Sequence, residues 1–478
     1  MRALVWFRND LRVRDNPAVH RACVDADDGV IGVFLISPKQ WREHDWAEVK
    51  VDFLLRTLEV LSERLKKLNI PLLIRTVPTF RSAPKELLDI AREHQCDALY
   101  YNIEYEVNEQ RRDETVRRQF ERAGLAVHVH HDQAIVRPDA LRTSGDGFYT
   151  VFTPFKRSWT KHLAESGVPE PLGRTRRQPA MPTLPDDVPS SIDGFPSGGL
   201  PRLWPAGEEA ARRRLRRFIE QNVGRYKSKR DSPADDLTSR LSPYLAIGSL
   251  SARQCLAAAL EGNNGRLDRG RAGPATWISQ LVWRDFYRHV LVGFPRVSMH
   301  RPFRPITEAV PWRHDEGQFK AWCDGRTGVP IVDAGMRQLN ETGWMHNRLR
   351  MITAMFLAKH LLIDWRRGER YFMRRLIDGD LANNNGGWQW SASTGTDAVP
   401  YFRVFNPYLQ SRRFDPRGRF IRRYVPELQR LDATLIHDPA KAPPSVRARL
   451  DYPDPIVEHA AARQRAVEAF GALRSDTR

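Results

Sequence analysis

Residues 1–132 alternate short apolar runs with helix-like segments, and this alternation limits the possible folds more than any other feature of the sequence. The apolar runs predict five β-strands, at 3–7, 30–36, 70–75, 97–101 and 125–129. Four helices are predicted between them, including one over 17–26 that follows the capping pair Asp15-Asn16. Because a helix separates each pair of strands, we expect an α/β domain with a five-stranded, parallel, Rossmann-like sheet covered on both faces.

The rest of the chain changes character twice. Residues 165–207 contain nine prolines and few long apolar runs, which is typical of a connector that lies on the surface. Beyond it, apolar residues recur every three to four positions and predict helices over 208–222, 251–261, 274–292, 316–323, 329–341, 344–363 and 366–377. We therefore predict an α/β domain at 1–132, a long linker at 133–206 and an all-α domain at 207–478.

The charge balance indicates a polyanionic partner. Lysine and arginine number 76 against 58 acidic residues, a formal net charge of +18. Such a charge favours nucleic acid or an anionic membrane surface. No apolar run approaches the length of a membrane span, and the start MRALVWFRND lacks the apolar core of a signal peptide. Nucleic acid is therefore the better partner, and we expect no membrane association.

Cysteine usage points to a reducing compartment. The four cysteines, at 23, 96, 255 and 323, lie far apart and show no CxxC spacing. This spacing argues against both a disulfide framework and a zinc site, so no metal is expected. A cytoplasmic location fits.

Arginine concentrates near the C-terminal end of the predicted helical domain. Between 401 and 430, eight arginines face two acidic residues. The run follows aromatic and turn residues and does not keep a clean helical period. We interpret it as a polyanion contact in preference to an ordinary solvated face.

The stretch 343–403 carries an unusual mixture of core-like and polar residues. Its apolar positions predict one long helix over 344–363, yet Asn347 and Arg350 crowd the first turn. Further polar residues follow at 378–385, before a turn predicted at Gly386-Gly387. Burying such groups without partners costs a few kcal/mol each, so the pattern indicates a lined cavity.

Other polar segments have more than one reading. Hydroxyl and backbone N–H groups of TSRLS, at 238–242, suit a phosphate if Ser239 or Ser242 begins a helix. Asn108 and Glu109 follow the fourth predicted strand, where parallel sheets bind ligands, but starting a helix explains them equally well. Neither GxGxxG nor GxxxxGK[ST] occurs, so a glycine-rich phosphate loop has no support.

Long motifs throughout the chain carry a family resemblance. They are VWFRNDLRVRDNPA, YEVNE, TSRLSPYLAIGSLS, LVWRDFYRH, TGVPIVDAGMRQL, GWMHNRLRM and DGDLANNNGGWQWSASTGTDA. With them the chain closely resembles the photolyase/cryptochrome family, and within it the bacterial class I cyclobutane pyrimidine dimer (CPD) photolyases. The resemblance implies a monomer with an α/β domain, a long linker and a helical domain that holds bent FAD below a DNA-facing hole. It also implies light-driven electron transfer from fully reduced FAD, which splits pyrimidine dimers in DNA.

The resemblance assigns roles to individual residues. The residues matching the FAD contacts are Tyr226, Thr238, Ser239, Arg240, Leu241, Ser242, Trp277, Arg284, Asn347, Arg350, Asp378, Asp380 and Asn384. Among these, Arg350 and Asp378 match the buried pair beside the isoalloxazine, and Asn384 matches the amide that faces flavin N5. Trp388, Trp365 and Trp312 match the tryptophan chain that passes electrons inward to the flavin.

The resemblance also implies residues that contact DNA. Gln280, Trp283, Asn347, Met351 and Trp390 match the lining of the lesion pocket, where aromatic walls stack on an extruded dinucleotide. The positions matching the grip on the strand's phosphates are Arg230, Arg348, Arg403, Gln410 and Arg413.

Position 280 departs from the family pattern. CPD photolyases usually carry glutamate there, where it hydrogen-bonds the lesion and supports the dimer's radical anion, whereas this chain has Gln280. Glutamine at this position is typical of (6-4) photolyases and animal cryptochromes. Those proteins have histidines where this chain has Asn347 and Met351, so we favour CPD repair.

The antenna chromophore is the second departure. His44, Asn108 and Glu109 match the family's site for 5,10-methenyltetrahydrofolate, but the lysine expected near Ser298-Met299 is absent. We expect folate, with a deazaflavin or an empty site as alternatives.

Two other functions remain open. A cryptochrome-type photoreceptor would bind FAD and signal without repair, but Asn384 and the short segment after YPDPIVEH favour repair. A light-independent nucleic-acid-binding flavoprotein would make the tryptophan chain incidental.

Overall fold

The computed structural model describes residues 1–196 and 200–473. The chain divides into two compact units. Unit 1 comprises Met1–Lys227, Ser239–Pro295 and Ile377–Asp380, and unit 2 comprises Ser228–Thr238, Arg296–Leu376 and Leu381–Arg478. The predicted boundaries at 132 and 206 stay predictions.

A five-stranded parallel sheet forms the centre of unit 1. Its strands are β1 (Ala3–Phe7), β2 (Val30–Ile36), β3 (Leu72–Thr76), β4 (Ala98–Asn102) and β5 (Ala126–His130). They lie in the order β3-β2-β1-β4-β5, with Val5 paired to both Gly32 and Tyr100. The structure confirms the predicted parallel sheet. β1 and β2 have the predicted bounds, whereas the other three strands begin one or two residues later.

Helices surround this sheet, as the buried strands require. Every residue of β1, β2 and β4 is buried. The helices that begin in unit 1 are α1 (Pro17–Asp25), α2 (Pro38–Glu43), α3 (Glu48–Lys66), α4 (Ala83–Glu93), α5 (Val107–Arg122), α6 (Phe152–Ser166), α7 (Glu208–Gln221), α8 (Tyr226–Lys229), α9 (Ser242–Ala246), α10 (Ala252–Glu261) and α11 (Ala272–Gly293). α1 begins as predicted, because the Asn16 side chain accepts a hydrogen bond from the Val19 N–H at 3.2 Å and proline takes the first turn.

The proline-rich connector covers the exposed edge of the sheet. β3 pairs with β2 on one side only. On its other side the Asp186 N–H donates to the Leu72 carbonyl at 3.0 Å, and the Ile74 N–H donates to the Asp186 carboxylate at 2.7 Å. These bonds satisfy part of an edge that would otherwise be open to pairing with another chain.

Unit 2 is helical within its described residues. Its helices are α12 (Glu316–Asp324), α13 (Pro330–Thr342), α14 (Asn347–Met355), α15 (Trp365–Met373), α16 (Leu381–Ala392), α17 (Pro407–Phe414), α18 (Arg419–Tyr424), α19 (Pro444–Arg447) and α20 (His459–Ala472). A π-helical segment, Phe356–His360, follows α14. One apolar core cluster joins several of these helices and includes the fully buried Trp322 and Trp365.

Two local predictions in this unit are wrong. The single helix predicted over 344–363 is α14 followed by the π-helical segment, and Leu362 has a left-handed φ of 52° after it. The turn predicted at Gly386-Gly387 does not exist, because both glycines lie inside α16. Packing around the aromatic side chains of α16 overrides the low helix propensity of glycine.

Candidate functional site

The segment predicted to contact the FAD phosphates lies at a sharp turn. Arg240 has a left-handed φ of 48°, and α9 begins at Ser242, with Pro243 in its first turn. The sequence analysis made phosphate binding by TSRLS conditional on a helix that begins at Ser239 or Ser242. The start of α9 at Ser242 meets this condition. Thr238, in unit 2, has a buried hydroxyl without a hydrogen-bond partner among the described residues. The hydroxyl is therefore available to a ligand.

Three aromatic rings of unit 1 pack together. Tyr226 meets Phe218 edge to face at 5.7 Å, and Phe218 contacts Trp277 at 4.9 Å between ring centroids. Tyr226 and Trp277 are both buried, as is Leu241. Packing therefore fixes two of the predicted cofactor residues, Tyr226 and Trp277, against one shared ring.

Four predicted site residues lie on α11 at intervals of three, three and one. Trp277, Gln280, Trp283 and Arg284 belong to neighbouring turns, so helical geometry brings them to adjoining positions. The Gln280 amide donates to the carbonyl of Thr276 at 3.3 Å. This hydrogen bond stays within α11.

Trp283 is held by a ring stack that the sequence did not reveal. Phe152 on α6 lies parallel to it, with 3.7 Å between centroids and 6° between planes. Phe286 and Tyr287 contact the indole from the next turn of α11, each at 5.6 Å. These contacts restrict the orientation of the indole.

Arg284 lies close to a second cation, the buried Arg288. The Arg284 guanidinium donates to the carbonyls of Gln133 and Leu245. Burial, reinforced by the neighbouring Arg288, lowers the pKa of Arg284 to about 10. A buried guanidinium with carbonyl partners retains a net positive charge, which suits an anionic ligand.

The segment Ile377–Asp380 belongs to unit 1 and is fixed by two cations. Arg288 Nη2 pairs with the Asp380 carboxylate at 2.6 Å, and Lys50 Nζ donates to the Gly379 carbonyl at 2.7 Å. Asp378 is buried. Burial lowers the pKa of Lys50 to about 8, and the negative charge of Asp380 opposes that shift. Sequence reasoning missed both cations, although Arg288 lies within the motif LVWRDFYRH; Lys50 lies outside every recognised motif.

Glu106 is a further acid in this charged group. Burial raises its pKa to about 7, and the negative charges of Glu104 and Asp380 add to the shift, whereas Arg288 opposes it. Glu106 therefore titrates in the physiological range, and Arg288 stands between two acidic side chains.

In unit 2, the first turn of α14 carries the polar residues singled out from the sequence. Asn347 begins the helix, and its amide lies 3.8 Å from the Met351 sulfur. Arg350 Nε donates to the carbonyl of Met345 at 2.8 Å. Because Asn347 and Met351 are one turn apart, α14 brings two predicted lesion contacts together.

Asn384 lies inside α16 and is held through Glu369. Its amide nitrogen donates to the backbone carbonyl of Glu369 at 3.1 Å, and Asn385 donates to the Glu369 carboxylate at 3.0 Å. His300 lies 3.4 Å from the same carboxylate. Glu369 is fully buried and was missed by the sequence prediction. It fixes the rotamer of Asn384 by binding both asparagines.

The predicted electron-transfer tryptophans differ in burial. Trp365 and Trp388 are 1% and 2% exposed, whereas Trp312 is partly exposed. Trp388 packs against Phe372 at 5.0 Å, and Trp312 meets Phe470 edge to face at 5.8 Å. The tryptophans thus run from buried to partly exposed positions.

The five predicted phosphate contacts all lie in unit 2. Arg403 and Arg413 are exposed, and exposed apolar side chains, Phe402 and Leu409, lie among them. Arg348 pairs with Asp231 at 2.9 Å and its guanidinium lies 4.3 Å from the Phe414 ring. The remaining two residues are Gln410, on α17, and Arg230, beside Asp231.

The three predicted antenna residues lie together in unit 1. His44 Nε2 is 3.1 Å from the Asn108 amide, and His44 Nδ1 is 3.4 Å from the Glu109 carboxylate. Burial lowers the pKa of His44 to about 4, with further lowering by Lys50 and Arg112. Burial also raises the pKa of Glu109. The structure therefore brings together a neutral imidazole and a carboxyl group that resists ionisation.

Glu109 also lines a cleft in unit 1. The cleft lies beyond the carboxyl ends of β1 and β2, with walls from Trp6, Trp41, Trp46 and Phe80. Glu104, Arg8 and Arg112 add buried charges, and both guanidinium groups lie 4.6 Å from the Trp6 ring. This position is the usual ligand site of a parallel sheet.

Sequence profiles of known families match most of the chain. The profile described as DNA photolyase matches residues 3–174, and the profile described as the FAD binding domain of DNA photolyase matches 277–472. The deoxyribodipyrimidine photo-lyase of Salmonella typhimurium is 45% identical over 474 residues, covering 98% of each chain. The chain belongs to the DNA photolyase family.

Solved structures of photolyases share the fold. The class III photolyase of Agrobacterium tumefaciens has a TM-score of 0.87 and 35% identity, covering 99% of this chain and 98% of its own. The photolyase of Sulfolobus tokodaii, solved with two FAD molecules, has a TM-score of 0.81 and 31% identity, covering 99% and 100%. Among the residues that the structure describes, no helix combines the length and apolarity needed to cross a membrane.

The residues present fit the FAD of this family. In unit 2, Thr238 offers a buried hydroxyl without a partner among the described residues, and the Glu369-bound Asn384 offers a fixed amide. In unit 1, Arg284 offers a cation. Taken singly, a hydroxyl or a cation suits a phosphate oxygen, and an amide suits the polar edge of a flavin ring.

Proposed function

We propose that this photolyase-family chain repairs cyclobutane pyrimidine dimers in DNA, using light to transfer an electron from fully reduced FAD. The observation that carries this proposal is the 45% identity to a deoxyribodipyrimidine photo-lyase over nearly the whole of both chains. Reduced FAD supplies the electron when it is bound. The protein's residues bind the flavin, orient the dimer and exclude water.

The proposed flavin-binding residues divide by chemistry. Tyr226, Thr238, Ser239, Arg240, Leu241, Ser242, Trp277 and Arg284 contact the phosphate side, and Asn347, Arg350, Asp378, Asp380 and Asn384 contact the ring side. The buried hydroxyl of Thr238 and the cation of Arg284 support the first assignment. The Arg288–Asp380 pair supports the second, because the guanidinium holds the Asp380 carboxylate in place.

For the dimer, we propose contacts from Gln280, Trp283, Asn347, Met351 and Trp390. A dimer flipped out of the helix loses its stacking, and an aromatic wall restores about 1–3 kcal/mol per base. The stack of Trp283 on Phe152 supports this role, because a fixed indole binds without first losing its own freedom. Arg230, Arg348, Arg403, Gln410 and Arg413 are proposed to hold the strand's phosphates.

The tryptophans at 388, 365 and 312 are proposed to carry electrons inward when the flavin has become oxidised. The burial of Trp365 and Trp388 and the partial exposure of Trp312 support a path from the surface. Packing explains the same burial, so photoreduction of a Trp312→Phe variant is the measurement that separates the two roles.

For the antenna we propose 5,10-methenyltetrahydrofolate at His44, Asn108 and Glu109. Their mutual contacts of 3.1 and 3.4 Å support a single polar site. A deazaflavin in the neighbouring cleft is the alternative, and an empty site is the third outcome. The absorption spectrum of the purified protein distinguishes them.

Blue-light repair of a defined oligonucleotide tests the main proposal. Reduced protein is illuminated with strands carrying one CPD or one (6-4) photoproduct, and intact pyrimidines are counted. We expect CPD repair and no (6-4) repair, because Asn347 and Met351 stand where (6-4) enzymes have histidines. Persistence of both lesions while FAD photoreduces normally would support a cryptochrome-type photoreceptor and overturn the proposal.

We further propose a cytoplasmic monomer. Four free, buried cysteines agree with a reducing compartment. Sedimentation of the purified protein tests the oligomeric state.

A further inference from the structure

A buried lysine in unit 2 has no assigned task. Lys359 lies in the π-helical segment Phe356–His360 and is 0% exposed. Its ammonium nitrogen makes no hydrogen bond to any part of the chain that the structure describes. An uncompensated buried amine is costly, and single π-helical turns are frequent at functional sites, so both observations call for a reason.

The lysine lies against the aromatic group that surrounds Trp312. Its Nζ is 3.4 Å from the centre of the Phe470 ring. Phe470 in turn meets Trp312 edge to face at 5.8 Å. The two rings belong to one apolar cluster with Val310 and Leu362. One phenyl ring therefore contacts both the amine and the outermost proposed electron-transfer tryptophan.

We propose that the charge on Lys359 controls how readily Trp312 gives up an electron. This inference rests on the proposed role of Trp312 in photoreduction. The step moves one electron from the Trp312 indole to the oxidised indole of Trp365, and no bond forms or breaks. An added thiol reductant then returns an electron to Trp312. A nearby positive charge destabilises the oxidised, positively charged indole of Trp312, whereas a neutral amine does not.

Lys359 can change its charge near neutral pH. Burial lowers the pKa of its ammonium group to about 7. The ammonium therefore predominates below neutrality, and the amine predominates above it. Photoreduction through Trp312 is accordingly expected to speed up as the pH rises through this range.

Other charged or titratable groups also lie near the segment. They are His360 in the segment itself, His459 and Arg465 on α20, Arg313 before α12, Arg350 on α14 and Glu369 on α15. Burial lowers the pKa of His360 to about 3 and also lowers that of His459, so both are neutral above pH 7. The arginines stay charged, and Glu369 is bound by Asn385.

Two substitutions at position 359 hold the side chain in either the uncharged or the charged state. Lys359→Met keeps the length of the side chain and can never carry a charge, whereas Lys359→Arg is always charged. FAD photoreduction with a thiol is measured in the holoenzyme between about pH 6.5 and 9. We expect the wild-type rate to rise roughly tenfold, as a nearby charge at an effective dielectric constant of about 20 implies. The methionine variant should be fast throughout and the arginine variant slow throughout.

A measurement that needs no photochemistry separates electrostatics from packing. The free energy of unfolding is measured against pH for the wild type and Lys359→Met. Since the folded pKa is depressed below that of unfolded lysine, the unfolded state binds the extra proton, and wild-type stability should rise with pH from about 7 to 10. The methionine variant should lack this component. Lys320→Met, at an exposed position on α12, is the matched control.

The outcomes are distinguishable from failure of the proposed function. If Trp312→Phe photoreduces normally, the electron path is wrong, whatever Lys359 does. If Trp312→Phe fails but Lys359→Met retains the wild-type pH profile, the tuning role of Lys359 is overturned. If Lys359→Arg misfolds, two measurements still test the proposal. They are the comparison of Lys359→Met with the wild type and the unfolding free energies measured against pH.

Discussion

At the scale of single residues, neighbours that carry no recognised motif determine what the motif residues can do. Phe152 fixes Trp283, Arg288 holds Asp380, and Glu369 holds Asn384. None of the three supporting residues was assigned a role from the sequence. Each of these supporting residues restricts the rotamer or the side-chain position of a residue to which the sequence did assign a role.

Substitution of Gln280 by glutamate should raise the efficiency of dimer repair. Gln280→Glu places a carboxyl group against the dimer, and a hydrogen bond involving such a group is stronger by about 1 kcal/mol, which corresponds to about fivefold in rate. We expect a higher yield of repair per absorbed photon by the reduced enzyme. Gln280→Ala should lower it. An unchanged yield in the glutamate variant would remove position 280 from the splitting step.

Phe152 should act on lesion recognition through Trp283. Phe152→Ala removes a stack at 3.7 Å, and such pairs contribute about 0.5–1.5 kcal/mol, so CPD-containing DNA should bind about two- to tenfold more weakly. Fluorescence anisotropy with damaged and undamaged oligonucleotides measures the ratio. Phe152→Tyr should restore it, and Phe148→Ala, in a ring pair with His289, is the control. An equal loss for both DNAs would indicate general unfolding.

At the scale of elements, a close helix contact holds one proposed electron carrier. α15 and α16 pack where Gly368 meets the Trp388 ring: a Cβ on Gly368 would lie 2.1 Å from that ring and 2.5 Å from Leu357. The absence of a side chain at 368 thus permits the position of Trp388. Because both partners are buried, neither can move without disturbing the core cluster.

Gly368→Ala should therefore be destabilising although it replaces a glycine in a helix. We expect a loss of about 1–3 kcal/mol in unfolding free energy from overpacking, together with slower FAD photoreduction as Trp388 shifts. Denaturant unfolding and thiol-driven photoreduction measure the two effects.

Gly387→Ala is the matched control within α16. An added Cβ there meets nothing within 4 Å, so the higher helix propensity of alanine should stabilise the protein by up to about 1 kcal/mol. If both alanine variants proved equally stable, close packing at 368 would not explain the glycine.

At the scale of the whole molecule, the net charge of +18 should govern DNA affinity. Each phosphate contact releases condensed counterions, and log K falls with log salt by about 0.9 for every contact. The proposal assigns exposed contacts to Arg403 and Arg413. The affinity for undamaged DNA should accordingly fall steeply with salt and depend little on sequence.

Arg403→Gln and Arg413→Gln should each reduce the salt slope by about one contact. Filter binding or anisotropy over a salt series measures the slope. Arg118→Gln is the control, since Arg118 pairs with Glu114 on α5. Slopes that match the wild type in all three variants would place the DNA elsewhere on the protein.

The sequence by itself determined the parallel sheet, the start of α1 and the family, because periodicity, caps and long motifs are local signals. β1 and β2 fall on the predicted residues, and α1 begins at Pro17 as predicted. These features depend on neighbours within a few positions along the chain. Short-range physics was enough to predict them.

Tertiary structure alone decided the features that depend on distant segments. The helix over Gly386-Gly387, the π-helical segment, the Phe152–Trp283 stack and the burial of Lys359 each depend on packing against residues far away in sequence. Propensity favours a turn at the two glycines and an exposed lysine at 359. At the two glycines, contacts made only in the folded chain outweigh a local preference of about 1 kcal/mol per glycine. At Lys359 the folded chain bears the larger cost of burying an amine, which lowers the pKa of its ammonium group to about 7.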